Sequence, residues 1–478
     1  MKKNLRTILL WPMCGLVFVA ATLNGNGIID LNNLDSYANQ PVPAYIQEDN
    51  TPAINQITDL GATLGRVLFY DKSLSANFTV SCSSCHLQKF AFSDTSVASL
   101  GINGLTGRHA MRLVNSRFAE EGAFFWDERA ASLEIQSTQP IQDHLEMGFS
   151  GTNGDPDLDS LLRRMEGTTH YQRLFGELFG DTVITEARMQ AALAQFIRSI
   201  QSFDSRYDTA RAQVNNEGMP FPGFTQQENQ GKALFLAPPQ LGQGGRVGGG
   251  AGCGVCHRPP EFDIAPNSRS NGVIGSLAGG LDLTNTRSPS LRDLVNPQGI
   301  PNGPFMHNGV FSTLEQVINH YDSIPDEVLQ QNVRPDIDPR VLPGGMPQRL
   351  NLTQDEKDAM IAFLRTLTGS DMYTNPIWSD PFDDQGNLEV WPVYATSIDN
   401  EVSARSLKVY PNPVADLLQV KVPAGTYELR VLDLQGRVVL QSAIASEGSL
   451  DMQTLPAGVY VISVQNEKDH FTRKVVKW

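Results

Sequence analysis

Apolar and polar residues follow helical spacing at the start and at the end of two successive stretches of the chain. Residues 60–69 and 186–202 place their apolar side chains on one helical face, and residues 225–235 and 352–364 repeat the arrangement. Residues 225–228 add the Thr-x-x-Glu pattern of a capping box. The spacing therefore predicts two similar helical units in tandem.

Shorter helices are predicted at residues 132–136 and 156–166, the second with Asp155 as its N-cap. Residues 206–222 have the composition of a linker. The glycine-rich residues 243–252 lack the Lys-Ser/Thr ending of a phosphate-binding loop, so they are interpreted as a flexible connection.

The pattern changes after about Pro381 from helical spacing to strict alternation of apolar and polar residues. A polar linker is predicted at residues 382–405. Beyond it the alternating segments are residues 417–422, 427–431, 459–464 and 471–478. They predict a small β-sandwich at residues 406–478.

The first residues have the features of a secretory signal. Lys2, Lys3 and Arg6 precede an apolar run at residues 8–21, which at 14 residues is too short to span a bilayer. A signal peptide at residues 1–21 is predicted, with cleavage near Ala21. No other segment is apolar enough for a membrane span, so a soluble mature protein is expected.

Two Cys-x-x-Cys-His motifs carry the chemistry of the chain, at residues 82–86 and 253–257. The two thiols of such a motif can add to the vinyl groups of one porphyrin, and the adjacent imidazole can ligate its iron. A redox dithiol does not need the histidine, and no further cysteine completes a zinc site. Two covalently bound c-type haems are predicted, with the cofactor-binding residues Cys82, Cys85, His86, Cys253, Cys256 and His257.

The predicted fold is therefore mainly α, with two tandem cytochrome c-like helical haem domains followed by the small C-terminal β-sandwich. The N-terminal haem domain is placed at residues 50–210 and the C-terminal one at residues 223–370.

The chain is acidic, with 52 Asp and Glu residues against 37 Lys and Arg residues and a net charge of −15. Residues 406–478 are almost balanced, so the acidity lies in the haem-bearing part. Such a surface disfavours nucleic acid and suits a basic electron-donor protein. An acidic surface that is only solvated is the other interpretation.

The motifs together resemble the bacterial dihaem cytochrome c peroxidase family, including its MauG branch, which oxidises protein residues. The resemblance covers roughly residues 60–369. The segments that carry it are residues 64–71, 81–86, 113–115, 125–130, 132–136, 140–141, 146–147, 253–257, 304–309 and 313–317.

The resemblance implies a role for each haem and for the residues near the first one. His86 would be the proximal ligand of the reactive iron, and His257 that of an electron-relay iron. Glu146 matches the acidic residue that moves protons during peroxide cleavage, with Gln136 and Pro140 shaping its pocket.

The resemblance also bears on the open face of the first iron. Many family members have a distal histidine in the loop that corresponds to residues 101–107, and this loop has none. A five-coordinate haem that needs no reductive activation is therefore expected. His109 is the alternative ligand, and His144 either hydrogen-bonds in the pocket or lies on the surface.

Two residues compete as the sixth ligand of the relay iron. Tyr321 stands where the MauG branch has a ligating tyrosine, and Met306 offers a thioether. Tyr321 is preferred. Trp126 matches the tryptophan that carries electrons between the two haems in the family.

One Ca²⁺ is implied between the two haem domains. Its ligands would be the Asn115 side chain and the carbonyl oxygens of Asn302 and Pro304, with waters completing the shell.

The C-terminal residues resemble a second family. Val-Tyr-Pro-Asn-Pro at residues 409–413 and Leu-Pro-Ala-Gly-Val-Tyr at residues 455–460 are similar to the type IX secretion sorting domain. The resemblance implies interaction with that machinery and export through the periplasm to the cell surface or the medium. A permanent adhesion-like sandwich is the alternative.

The resemblance implies an enzyme that reduces hydrogen peroxide to water with electrons from a small cytochrome or another redox protein. A MauG-like oxidase of a protein or organic substrate is one alternative. An extracellular electron-transfer cytochrome without enzymatic activity is the other. The oligomeric state, including a homodimer, stays open.

Overall fold

The computed structural model describes residues 25–392, 407–433, 436–466 and 469–478. The predicted signal peptide at residues 1–21 and the linker beyond residue 392 lie outside the described residues. The chain divides into two compact units, Met1–Val393 and Tyr394–Trp478. Each unit is described by itself.

The first unit is built on helices joined by long irregular segments. Its α-helices are α1 Asp59–Tyr70, α2 Cys82–Cys85, α3 Leu133–Thr138, α4 Leu158–Glu166, α5 Thr169–Phe179, α6 Glu186–Ser199, α7 Arg206–Arg211, α8 Gln226–Leu236, α9 Leu314–Asp322 and α10 Gln354–Arg365. Its strands are β1 Ile28–Asp30, β2 Pro239–Gly242, β3 Gly245–Gly249, β4 His257–Arg258, β5 Asp263–Ile264 and β6 Glu389–Trp391. The predicted helix-rich core is confirmed.

Two helix crossings organise this unit. Helix α1 packs on α6, and helix α8 packs on α10, each pair within its own cluster of buried apolar residues. A Cβ atom on Gly65 would lie 2.0 Å from the carbonyl oxygen of Ala192, and one on Gly231 would lie 1.9 Å from that of Ala359. Only glycine permits backbones to approach so closely.

The helix ends follow the capping signals in most places. The predicted capping box at Thr225 is confirmed, since its side chain accepts from the Glu228 amide while the Glu228 carboxylate accepts from the Thr225 amide. The predicted cap of α4 is wrong. Asp157 caps that helix through the Ser160 amide, because the Asp155 carboxylate is held by His144.

Two segments predicted to lack regular structure are ordered. The predicted linker at residues 206–222 begins with helix α7, capped by Ser205. The glycine-rich connection is largely strand β3 of the β2–β3 hairpin, because Arg246 binds the backbone carbonyl of Leu350 through its Nε atom at 2.7 Å. Strand β6 lies within the predicted linker at residues 382–405 and pairs in parallel with β1.

The second unit contains the predicted strands and three more. They are β7 Lys408–Tyr410, β8 Leu417–Lys421, β9 Tyr427–Leu432, β10 Val438–Ile444, β11 Glu447–Asp451, β12 Gly458–Gln465 and β13 His470–Lys477. Strands β10-β9-β12-β13 form one antiparallel sheet and β11-β8-β7 a second. Buried apolar residues of both sheets belong to one cluster.

Across the described residues, the helices are all too short or too polar to cross a bilayer.

The two crossings predict which glycines stabilise the fold. Gly65→Ala and Gly231→Ala should each lower the free energy of unfolding by about 3 kcal/mol, because the added methyl group meets a backbone carbonyl that cannot move away. Gly176→Ala, within α5, is the matched control: its Cβ would lie 3.7 Å from the Thr182 side chain. It should be neutral or stabilise by up to about 1 kcal/mol. Thermal unfolding followed by circular dichroism measures all three, and equal stability of the Gly65→Ala and Gly176→Ala proteins would contradict the close crossing.

Candidate haem sites

The first Cys-x-x-Cys-His motif borders a cavity of about 510 Å³ in the first unit. Helix α2 presents Cys82 and Cys85 to it, and His86 follows at the helix end. The helix starts at Ser81, whose amide donates to the Ser84 hydroxyl at 3.0 Å. The short helix thus places both thiols and the imidazole on one wall.

The first imidazole is oriented for ligation. His86 Nδ1 lies 3.0 Å from the carbonyl oxygen of Phe92, so Nδ1 donates and Nε2 stays free for iron. Burial lowers the pKa of His86, which keeps the ring neutral. Burial also raises the pKa of Cys82 to about 12 and that of Cys85 to about 11. Protonated thiols of this kind do not suit a reactive dithiol.

The cavity is also lined by the residues predicted for peroxide chemistry, Glu146, Gln136 and Pro140. Burial, together with the negative charge of Asp143, raises the pKa of the Glu146 carboxyl to about 7, against the opposite effect of Arg129. A carboxyl group with this pKa can both accept and donate a proton near neutral pH.

The second motif borders a cavity of about 360 Å³. Cys253 lies in a short 3₁₀ turn that ends at Val255, Cys256 follows it, and His257 begins strand β4. His257 Nδ1 is buried and has no hydrogen-bond partner, unlike the corresponding atom of His86. Burial lowers the pKa of His257 to about 4, so this imidazole is neutral as well. Like the first cavity, this cavity is lined by two thiols that could attach a haem, Cys253 and Cys256, and by an imidazole that could ligate its iron, His257.

Both candidate sixth ligands line the second cavity. The Asn271 side-chain amide donates to the Tyr321 hydroxyl at 2.9 Å and to the Met306 sulfur at 3.3 Å. One amide therefore holds the two side chains together, and the preference for Tyr321 stays a prediction. Asn271 was not identified from the sequence, because no local pattern marks an amide that binds two distant side chains.

Trp126 lies on the wall between the cavities and borders both. Its indole Nε1 donates to the carbonyl oxygen of His109 at 2.8 Å, and its ring meets that of His307 edge-on, with 6.3 Å between centroids. The residues that border both cavities are His109, Ala110, Met111, Arg112, Trp126, Arg287, Ser288 and Pro289.

The histidines near the first cavity have other partners. His109 Nδ1 lies 2.9 Å from the Ser96 carbonyl oxygen, and its Nε2 lies 3.3 Å from the Ser93 hydroxyl. Ligation of the first iron by His109 stays an alternative prediction. His144 Nδ1 pairs with Asp155 at 2.8 Å and does not border the cavity. The loop at residues 101–107 contributes Gly101, Thr106 and Gly107 to the wall.

The predicted calcium ligands lie in a buried polar region. Asn115 Oδ1 accepts from the Ser202 amide at 2.8 Å. Asn302 is fully buried, and its Oδ1 has no hydrogen-bond partner. Pro304 borders the second cavity. An unpaired buried oxygen at Asn302 is compatible with a hard cation, and the calcium site stays a prediction.

Comparison with known proteins agrees with this geometry. Residues 60–216 match the family described as Di-haem cytochrome c peroxidase, and residues 408–478 match Secretion system C-terminal sorting domain. The methylamine utilization protein MauG of Methylophilus methylotrophus is 29% identical over 340 residues, which cover 69% of this chain and 89% of that protein.

Two further matches represent the peroxidase branch and the MauG branch of the family. The cytochrome c551 peroxidase of Nitrosomonas europaea is 26% identical over 322 residues, covering 64% of this chain and 80% of that protein. The crystal structure of a MauG-like protein associated with microbial copper homeostasis matches with a TM-score of 0.57 and 28% identity, covering 72% of this chain and 99% of that one.

The fold, the two motif-lined cavities and these matches define an exported c-type cytochrome of the oxidoreductase class. Residues 60–216 therefore resemble the di-haem cytochrome c peroxidase family, which agrees with the MauG and cytochrome c peroxidase relatives, and residues 408–478 match the secretion sorting domain. Both predicted resemblances are confirmed. The di-haem family implies two c-type haems, and the sorting domain implies export to the cell surface or the medium.

The two cavities predict independent haem attachment. A Cys82→Ala/Cys85→Ala protein should carry one haem per chain instead of two, because the second motif has its own cysteines and cavity. Mass spectrometry of the intact chain and the pyridine haemochrome assay count the haems. Ser83→Ala, inside the same motif, is the control and should keep two. Two haems in the double variant would contradict attachment at these cysteines.

Proposed function

We propose that this protein is a secreted dihaem peroxidase that reduces hydrogen peroxide to water with electrons from a small c-type cytochrome or a similar donor. The observation that carries the proposal is the buried Glu146 carboxyl, which shares a cavity with the His86 motif and has a pKa of about 7. An electron carrier without enzymatic activity has no use for such a group.

The proposed architecture has one haem domain at residues 50–210 and another at residues 223–370. The two glycine crossings and two separate apolar clusters support it, since each crossing joins a helix before one Cys-x-x-Cys-His motif to a helix after it. The two antiparallel sheets with a shared cluster support a C-terminal β-sandwich at residues 406–478.

The chain supplies the proton transfers of the reaction. A haem bound through His86 would supply the iron at which the O–O bond of peroxide is cleaved. The Glu146 carboxylate accepts the proton of the attacking peroxide oxygen and returns it to the oxygen that leaves as water. Two electrons and two protons from outside convert one hydrogen peroxide into two waters. Trp126, which borders both cavities, provides the route for those electrons.

A MauG-like oxidase of a protein or organic substrate is the second candidate. The observation that favours it is Tyr321, which stands at the wall of the second cavity. A phenolate ligand favours oxidised iron more strongly than a thioether does.

The proposed proton transfer predicts a pH profile. With a pKa of about 7, the ionised fraction of Glu146 falls about tenfold for each pH unit well below 7. Because the ionised form accepts the proton, kcat/KM for peroxide should fall by the same factor. Glu146→Gln should lower kcat about 10²- to 10⁴-fold and remove this acid limb. Oxidation of a reduced small c-type cytochrome by hydrogen peroxide, recorded from pH 5 to pH 8, measures both.

Asp143→Asn is the matched control. The negative charge of Asp143 raises the pKa of Glu146, so its removal should shift the acid limb to lower pH while kcat at pH 8 is kept. The asparagine oxygen can still accept from the Leu145 amide. Full turnover by the Glu146→Gln protein would refute the assignment. Peroxide consumption that requires an added organic or protein substrate would favour the oxidase.

The preference for Tyr321 predicts a spectroscopic difference. Tyr321→Phe should change the low-spin ferric signal of the second haem in the resting electron paramagnetic resonance spectrum, because it removes the ligand oxygen, while Met306→Leu should leave the signal in place. The wild-type protein should show one high-spin and one low-spin haem. The reverse pattern in the two variants would assign Met306, and two low-spin signals in the wild type would exclude an open first haem.

A further inference from the structure

The wall shared by the two cavities contains two buried arginines without a carboxylate partner. Arg112 and Arg287 are 7% and 8% exposed and border both cavities. Other arginines that border a cavity are neutralised or solvated: Arg108 pairs with Asp282 at 2.8 Å, Arg340 pairs with Asp338, and Arg269 is exposed. No ion pair within 4.0 Å involves Arg112 or Arg287 in the described part of the chain.

The contacts of the two side chains are with neutral groups. Arg112 Nη2 donates to the Ser290 carbonyl oxygen at 3.0 Å, and its Nε is buried without a partner. Arg287 Nη1 donates to the carbonyl oxygens of Glu121, at 2.8 Å, and Ala123. Both guanidinium charges therefore lie in a region of low dielectric, and in the described part of the chain neither has a carboxylate within ion-pair distance.

Nearby carboxyl groups act on the two arginines only from beyond the 4.0 Å of an ion pair, Asp293 on Arg112 and Asp263 on Arg287. Asp263 accepts from the Glu120 amide at 2.6 Å, and Asp293 accepts from the Gly369 amide at 2.9 Å. Burial lowers the pKa of Arg112 to about 10, which still leaves it charged at neutral pH.

We propose that Arg112 and Arg287 form one carboxylate-binding site, shared by the propionate groups of both haems. Each haem carries two carboxylates, and the planar guanidinium group binds a carboxylate through parallel hydrogen bonds. Arg112 and Arg287 would hold these carboxylates at the wall that contains Trp126. A charge on this wall would act on both irons, so it would raise both reduction potentials. The proposal rests on the two haems of the family and does not require peroxide turnover.

Redox titration of the holoprotein tests the shared site. In Arg112→Met and in Arg287→Met, both potentials should fall, because loss of a nearby positive charge favours the ferric state. The expected shift is about tenfold in the ratio of ferric to ferrous haem for each centre, which is about 59 mV for a one-electron couple. Arg269→Met is the control, since Arg269 borders only the second cavity and is exposed. It should leave the potential of the first haem unchanged.

Conservative variants give a second readout. Arg112→Lys and Arg287→Lys keep the positive charge but lose the planar guanidinium group that can bind a carboxylate through two hydrogen bonds. The propionate-bending bands of the resonance Raman spectrum should therefore shift, while both reduction potentials stay close to wild type. Unchanged propionate-bending bands in both lysine variants would overturn the assignment. This test remains decisive even if the methionine variants fail to retain haem. If only one haem changes its reduction potential in both methionine variants, the two haems do not share this site.

A free anion between the cavities is the competing source of negative charge. It would make the wild-type potentials depend on added formate at constant ionic strength. Such a dependence contradicts binding of the propionates, and potentials that do not respond to formate support it. None of these measurements involves hydrogen peroxide, so a failed peroxidase assay and a failed test of this site remain distinguishable.

Discussion

The close contact of two backbones, made twice, is the constraint on which the first unit depends. Gly65 lies against Ala192 and Gly231 against Ala359 at separations that leave no space for a methyl group. Each crossing fixes a helix that leads toward a Cys-x-x-Cys-His motif, since α1 precedes α2 and α8 precedes Cys253. The rigidity of two packed helices is therefore passed to the thiols and the imidazole that hold each haem.

Burial then gives the two cavities different chemistry. In the first, a desolvated carboxyl next to Asp143 acquires a pKa suited to proton transfer. In the second, Asn271 brings a phenol and a thioether to the same place, and the carboxyl group of Asp338 on that wall is paired with Arg340, which lowers its pKa. The imidazoles differ as well, because His86 Nδ1 has a carbonyl acceptor and His257 Nδ1 has none. The proposed assignment of peroxide chemistry to the first cavity and of electron storage to the second rests on this asymmetry.

The wall between the cavities joins the two centres. Trp126 borders both, its N–H is held by a backbone carbonyl, and the guanidinium groups of Arg112 and Arg287 flank the same space. Low dielectric strengthens every charge interaction there. The proposed electron route and the proposed electrostatic effect on both haems thus rest on one shared surface, built from residues 109–112 and 287–289 together with the tryptophan.

Local signals in the sequence were sufficient to predict most helices of the core and the strand pattern of the second unit, and the haem attachment residues were likewise predicted from a local motif. Cys-x-x-Cys-His spacing and the capping box at Thr225 act within one or two helical turns, so neighbouring residues alone specify them. Other features depended on residues outside the local segment. They are the cap of α4 at Asp157, the regular structure of the glycine-rich hairpin, and the partners of His109 and His144. The pKa of Glu146 and the unpaired charges of Arg112 and Arg287 likewise arose only in the tertiary structure, because desolvation is a property of the whole surrounding volume and no short segment encodes it.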